Sequence, residues 1–247
     1  MVTAVAIAAV ALTLFLLRAP DRAADAQRAQ VGDVVEPAAQ TDVPEQAQDS
    51  ATDEVLAFES AELMFTGSSA LGEQPGFFET VSGQLVLGED GTPKALRGTV
   101  QMASVLTNAD SLTAKLKSEP GMFEVEKYPT AQFVSTAIRP VSTPGAEATH
   151  EIEGNFTLRG ITRSIRFPAK IEVTPAAVTL QSEFSVNRQE FGVNYEGGTA
   201  FPEIRDLVLI NLDLEASRTA SPPAAGGEEP SSNTLQSPNE PTTRPVP

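Results

Sequence analysis

Between Glu151 and Val173 apolar and polar side chains alternate with the period of a half-buried strand. Ile152, Gly154, Phe156 and Leu158 share one face, against Glu151, Glu153, Asn155 and Thr157 on the other. The return run puts Ile165, Phe167, Ala169, Ile171 and Val173 together, with Arg159-Gly160-Ile161-Thr162 as the turn. A one-residue slip would expose every apolar side chain of this hairpin, so its register is well specified.

The same period recurs on both sides of the hairpin. Leu63 and Phe65 alternate with polar neighbours, and Val81, Gly83, Leu85 and Leu87 form an apolar face that turns back through Glu89-Asp90-Gly91. Leu96, Gly98, Val100 and Met102 form the returning face. Further strands are predicted at Ala131–Ile138, Val178–Asn187 and Asp206–Glu215. Asn108–Ser118 breaks the alternation and suits a short helix with Asn108 as its N-cap, ended by Pro120-Gly121. About eight short-spaced strands with one helical interruption predict an all-β fold, a closed antiparallel barrel or a sandwich.

The flanks differ in kind. Val2–Leu17 is apolar apart from Thr3 and Thr13, so residues 1–18 read as a signal peptide or a membrane anchor. The arginines that follow it conflict with the usual positive-inside placement, and Ala24-Asp25-Ala26 could serve as a cleavage site. Residues 19–53 carry too little apolar surface to offset ordering entropy and are expected to be an acidic, disordered linker. Residues 217–247, rich in Pro, Ser, Thr and Gly, are expected to be a disordered tail. Residues 54–216 are then the single folded domain.

Composition narrows the function classes. The chain of 247 residues carries a net charge of −16, which makes nucleic acid a poor partner. Cysteine is absent, excluding disulfides, thiolate nucleophiles and lipid attachment through cysteine. The one histidine, His150, is expected as a solvated strand end. No nucleophile–base–acid order, phosphate loop or metal-ligand spacing appears. Glu151 and Glu153 fall on the outer face of their strand, and Glu124 and Glu126 on loop surface. A non-enzymatic protein without cofactor or metal is expected.

Three phrases carry a resemblance: YPTAQFVST from Tyr128, GNFTLRGITR from Gly154, and FSVNRQEFGV from Phe184. In this order and spacing they resemble the YceI-like family of lipid- or polyisoprenoid-binding proteins, over roughly Glu54 to Ala216. The resemblance implies a lipocalin-like antiparallel β-barrel of about eight strands. It further implies an isoprenoid or fatty amphiphile in the lumen and a place in the periplasm or extracytoplasmic envelope. A membrane contact through the N-terminal segment and a homodimer are the other partners expected. The rival is a packed barrel acting as an envelope scaffold or stress-response interaction protein.

The residues themselves leave the lumen undecided. An apolar tail would lie along Leu85, Val100, Met102, Phe156, Leu158, Phe167, Ile171, Phe184 and Ile210, with Gly154 making room, yet a filled barrel would use the same residues as core. Small residues on this parity, among them Gly83, Gly98, Gly154, Ser104 and Ser182, signal either bends in the wall or space for a ligand. Arg159, Arg163 and Arg188 are head-group candidates at one mouth, with structural pairing, for example Arg188 to Glu190, as the competing role.

Overall fold

A computed structural model describes residues 21–35, 52–69, 72–142, 147–195, 197–198, 201–202 and 204–218. The Val2–Leu17 segment, the linker at 36–51 and the tail from 219 onward lie outside the described residues.

The strands are β1 (Gln30–Val34), β2 (Glu54–Ala57), β3 (Ser60–Ser69), β4 (Gly72–Phe78), β5 (Val81–Leu87), β6 (Pro93–Gln101) and β7 (Val105–Thr107). They continue as β8 (Thr130–Pro140), β9 (His150–Leu158), β10 (Ile161–Val173), β11 (Ala177–Asn187), the short pair β12 (Gly197–Gly198) and β13 (Phe201–Pro202), and β14 (Leu207–Ser217). Among the described residues, helices α1 (Arg22–Asp25) and α2 (Asp110–Ser118) complete the set, with 3-10 turns at Met102–Ser104 and Arg188–Phe191.

Among the described residues every ladder is antiparallel; the main sheet has the order β2-β5-β6-β8-β9-β10-β11-β14-β3-β4-β7, with β1 added on β10, and β12–β13 is a separate pair. Because β2 runs into β3, and β4 into β5, the two ends of this path belong to bent runs that return to it. The pairs Glu54↔Leu87 and Leu63↔Phe78 share one register, so the sheet curls into the expected antiparallel barrel. The split between β2 and β3 falls where the inward parity changes, from Leu56 and Phe58 to Ala61, Leu63 and Phe65.

One end is a packed floor, where Leu56, Leu87, Ile152, Leu180 and Ala216 are almost wholly buried. The other end is roofed by α2 and its following loop, whose Leu116 and Met122 join Phe78, Val100, Met102 and Val105 in a second cluster. Phe65, Phe78 and Phe123 meet there with ring centroids about 6 Å apart, within the range favoured by edge and tilted aromatic contacts.

Local structure departs from the sequence pattern in four places. The β9–β10 turn is only Arg159-Gly160, both left-handed at φ 51 and 72, the two-residue form that matches strand twist; Ile161 and Thr162 already belong to β10. Helix α2 starts at Asp110, and Ala109, not Asn108, occupies its cap position without a side-chain cap. There the chain is held instead by the Thr107 and Thr113 hydroxyls, 3.0 Å apart, because extended backbone persists through Thr107. His150 is half-buried, with Nδ1 2.8 Å from the Thr149 hydroxyl, rather than a solvated end.

The fourth departure is larger. Part of the segment expected as a disordered linker is built into the barrel: α1 lies against it and β1 pairs with β10. Composition alone misses this, because the ordering is supported by an unpaired strand edge and by two small contacts, Ala23 and Ala29, at 1% and 3% exposure.

Candidate ligand-binding site

Above the packed floor the barrel is hollow. The cavity has a volume of about 280 Å³, against the roughly 10–15 Å³ that one water needs on the same measure. Its wall is almost entirely hydrocarbon. Polar side chains reach it near the roof, among them Ser68, Ser69, Gln74 and Lys115.

Of the residues expected to line a lumen, Val100, Met102, Phe156 and Leu158 stand on its wall. So do Phe167, Phe184 and Ile210. The Phe167 and Phe184 rings stack at 4.5 Å and 15°, a flat apolar surface on the β10–β11 side. Leu85 and Ile171 do not reach the cavity; they are packed in the floor, at 2% and 5% exposure. The alternating pattern could not separate these two levels, since inward parity is the same along the whole strand. Residues that sequence parity missed come from outside the long strands: Leu112 and Leu116 of α2, with Met122 and Phe123 after it. Their signal was the apolar spacing within Asn108–Ser118, read as a helix but not as a roof.

Gly154 makes no room. A Cβ there would stand 2.5 Å from Phe133 Cζ, 2.6 Å from the Val134 carbonyl oxygen and 2.7 Å from Ser135 Cα. The β8–β9 register shifts between Ser135 and Ala137, directly beside the Gly154↔Ser135 pair, so glycine serves a bend and a close strand approach. Gly98 does the opposite. It lines the cavity, and a Cβ on it would meet nothing nearer than the Ser82 carbonyl oxygen at 4.0 Å.

The three arginines collect at the roof end, and all are engaged by the protein. Arg188, 8% exposed, borders the cavity but directs its N–H groups away into backbone. It donates to the carbonyls of Arg205 (3.1 Å), Val193 (2.7 Å), Tyr195 (3.1 Å) and Ile204 (3.2 Å), and to Asp206 Oδ1 (3.2 Å). A guanidinium has five N–H donors, so Arg188 ties Val193 and Tyr195 to Ile204, Arg205 and Asp206 and has no donor left for a head group. Arg159 pairs with Glu124 and lies over the Tyr128 ring. Arg163 donates to the Glu190 carbonyl at 2.8 Å and pairs with its carboxylate at 3.3 Å. Structural pairing, with Arg163 rather than Arg188 as the partner of Glu190, therefore replaces head-group binding.

At the same rim α1 is pinned to β4. Arg22 holds Glu73 through Nε (3.1 Å) and Nη2 (2.9 Å), and this hydrogen bonding keeps the Glu73 carboxyl below its usual range. Asp21 pairs with Arg205 at 2.7 Å. Among the described residues no group of three or more His, Asp or Glu side chains could hold a metal ion.

The family model of the YceI-like domain matches residues 49–216. The chain belongs to the YceI-like family. No curated protein matches the sequence. Among solved structures, this YceI-like chain is similar to BcnA of Burkholderia cenocepacia, with 21% identity and a TM-score of 0.53 over 63% of this chain and 96% of that one. It is also similar to the Campylobacter jejuni YceI protein, with 20% identity and a TM-score of 0.51 over 58% and 84%. A polyisoprenoid-binding domain from Saccharophagus degradans, implicated in plant cell wall breakdown, matches with 14% identity and a TM-score of 0.51 over 67% and 98%. At these identities the likeness establishes the shared barrel. Strand β1 lies before the matched range.

Proposed function

We propose that this YceI-like barrel is a non-enzymatic binding protein that holds a long apolar chain, an isoprenoid or fatty amphiphile, in the hollow half of its lumen. The observation that carries the proposal is the hydrocarbon-walled cavity above a packed floor. Burying each methylene there contributes about 0.8 kcal/mol, so a chain of many methylenes offsets the loss of its own freedom. Its polar end would face the roof, where Gln74 and Lys115 reach the cavity. The polyisoprenoid-binding domain of Saccharophagus degradans, which shares the barrel, supports the same ligand class.

The setting we propose is the extracytoplasmic envelope, for transport, storage or sequestration of the amphiphile. This part rests on the apolar run Val2–Leu17, acting as signal or anchor. No helix among the described residues is long and apolar enough to cross a membrane.

Titration with a fluorescent fatty-acid or polyprenyl probe tests the proposal. Saturable binding by the wild type, abolished in Gly98→Phe with the fold retained, is expected. Absence of binding to both would leave the packed-scaffold alternative.

A further inference from the structure

We propose that residues 28–35 form a removable stave in the barrel wall, and that the seam it closes between β10 and β11 is the port through which the apolar ligand enters. The proposal rests on the lumen-binding function above. The β10–β11 ladder has four register pairs, from Lys170↔Gln181 to Val173↔Val178, whereas β11 and β14 are paired at eleven positions.

The break has a chemical cause at Pro168. In β10 the odd-numbered residues from Ile161 direct their main-chain groups to β9, as the tight Leu158↔Ile161 turn pair requires, and the even-numbered ones to the opposite edge. Thr162 accepts from Val35 N at 2.9 Å on that edge. Pro168 therefore lacks its N–H where β11 would need it. The ladder stops, and the Ser182 hydroxyl closes its last position by donating to the Pro168 carbonyl at 2.6 Å.

Beyond this point β1 takes the opened edge. It pairs with β10 at Gln30↔Arg166, Val31↔Ile165 and Val34↔Arg163, with a shift in register between the last two. Towards β11 it is held by one parallel bridge, Arg28↔Ser185, with bonds Ala29 N to Ser185 O (2.8 Å) and Ser185 N to Gln27 O (3.0 Å). Both lips of the seam line the cavity, through Ile165 and Phe167 on one side and Phe184 and Val186 on the other. Withdrawing β1 would connect the cavity to solvent between them.

Two features suit a gate rather than a permanent strand. Ser185, the β11 residue bridged by Arg28, is fully buried with its hydroxyl lacking a hydrogen-bond partner, an unsatisfied group that the closed seam carries. Arg163 is a latch: its guanidinium donates to Gly32 of β1 at 3.2 Å while gripping Glu190 of the roof-side turn.

The chain has no cysteine, so a designed pair is the only one. Gln30→Cys with Arg166→Cys joins directly opposed positions, whose Cα separation in an antiparallel ladder falls in the range a disulfide spans. In the full chain, stopped-flow uptake of a fluorescent fatty-acid probe should be about tenfold slower or more in the oxidised form. Its final amplitude should be unchanged, and reduction should restore the rate. Arg163→Gln should speed uptake at the same amplitude. Equal rates for the oxidised and reduced forms would overturn the port alone, whereas no uptake by the wild type would overturn the lumen reading and the port with it. Hydrogen exchange on the wild type decides independently of any variant: β1 amides should exchange faster than those of β11 and β14, and equal protection would overturn the gate.

Discussion

Gly154 stands so close to Phe133 that a Cβ on it would fall 2.5 Å from the ring's Cζ, with the Val134 and Ser135 backbone nearly as near. Gly154→Ala must therefore push β8 and β9 apart. A loss of about 1–3 kcal/mol, typical of overpacking, is expected in thermal or urea denaturation. Unchanged stability would show that the β8 bulge yields freely.

Gly98 is the contrasting site, because its side-chain position opens on the cavity. Gly98→Leu should change stability by less than about 1 kcal/mol while filling ligand space. Calorimetry of the purified variant checks this, and a sharp drop in melting temperature would mean that the lumen is already packed at that level.

Arg188→Met removes the donors from four carbonyls and leaves Asp206 with Gln189 Nε2, at 2.6 Å, but without its cation. Each buried carbonyl left without a donor costs about 1–3 kcal/mol, so a clear loss of stability is expected, to which the half-exposed Asp206 adds little. If the variant instead kept its stability and lost affinity only for phosphorylated amphiphiles, Arg188 would be a head-group ligand after all.

Two titrations set the response to acid. Burial holds the His150 imidazole below its ordinary value, so it stays neutral in the fold. Between its folded pKa and about 6.5 the unfolded chain binds the extra proton, and stability falls as pH drops through that window. Glu153, bonded by Arg139 and facing Arg166, is held below the usual carboxylate range. Its contribution is full above the ordinary carboxylate pKa and lost as pH falls through its depressed one. Urea midpoints against pH should flatten below 6.5 in His150→Gln and below 4.5 in Glu153→Gln, and parallel profiles for wild type and variants would contradict both assignments.

Much of the barrel was legible because strand period and burial are coupled: Ile152, Phe156, Ile165 and Phe167 all point where alternation puts them. Height along the strand was not, since Leu85 in the floor and Val100 on the cavity wall have the same parity and differ only in what faces them. The partners of the arginines were hidden for a related reason. Backbone carbonyls for Arg188 and Arg163, and the Glu124 carboxylate for Arg159, are brought near by the fold, and no spacing in the sequence encodes them. Pro168 did carry a readable signal, since proline inside a strand marks an edge. Its meaning, a place for β1, needed the distant segment 28–35 to be seen beside it.

The central claim, that the hollow half of the barrel holds an apolar chain, is tested most directly by native mass spectrometry of the full chain purified without added lipid, followed by organic extraction. A discrete adduct with the mass of an isoprenoid or fatty amphiphile, lost in Gly98→Phe, is the predicted result. An adduct-free wild type that also fails to take up added fatty acid or polyprenol would contradict it.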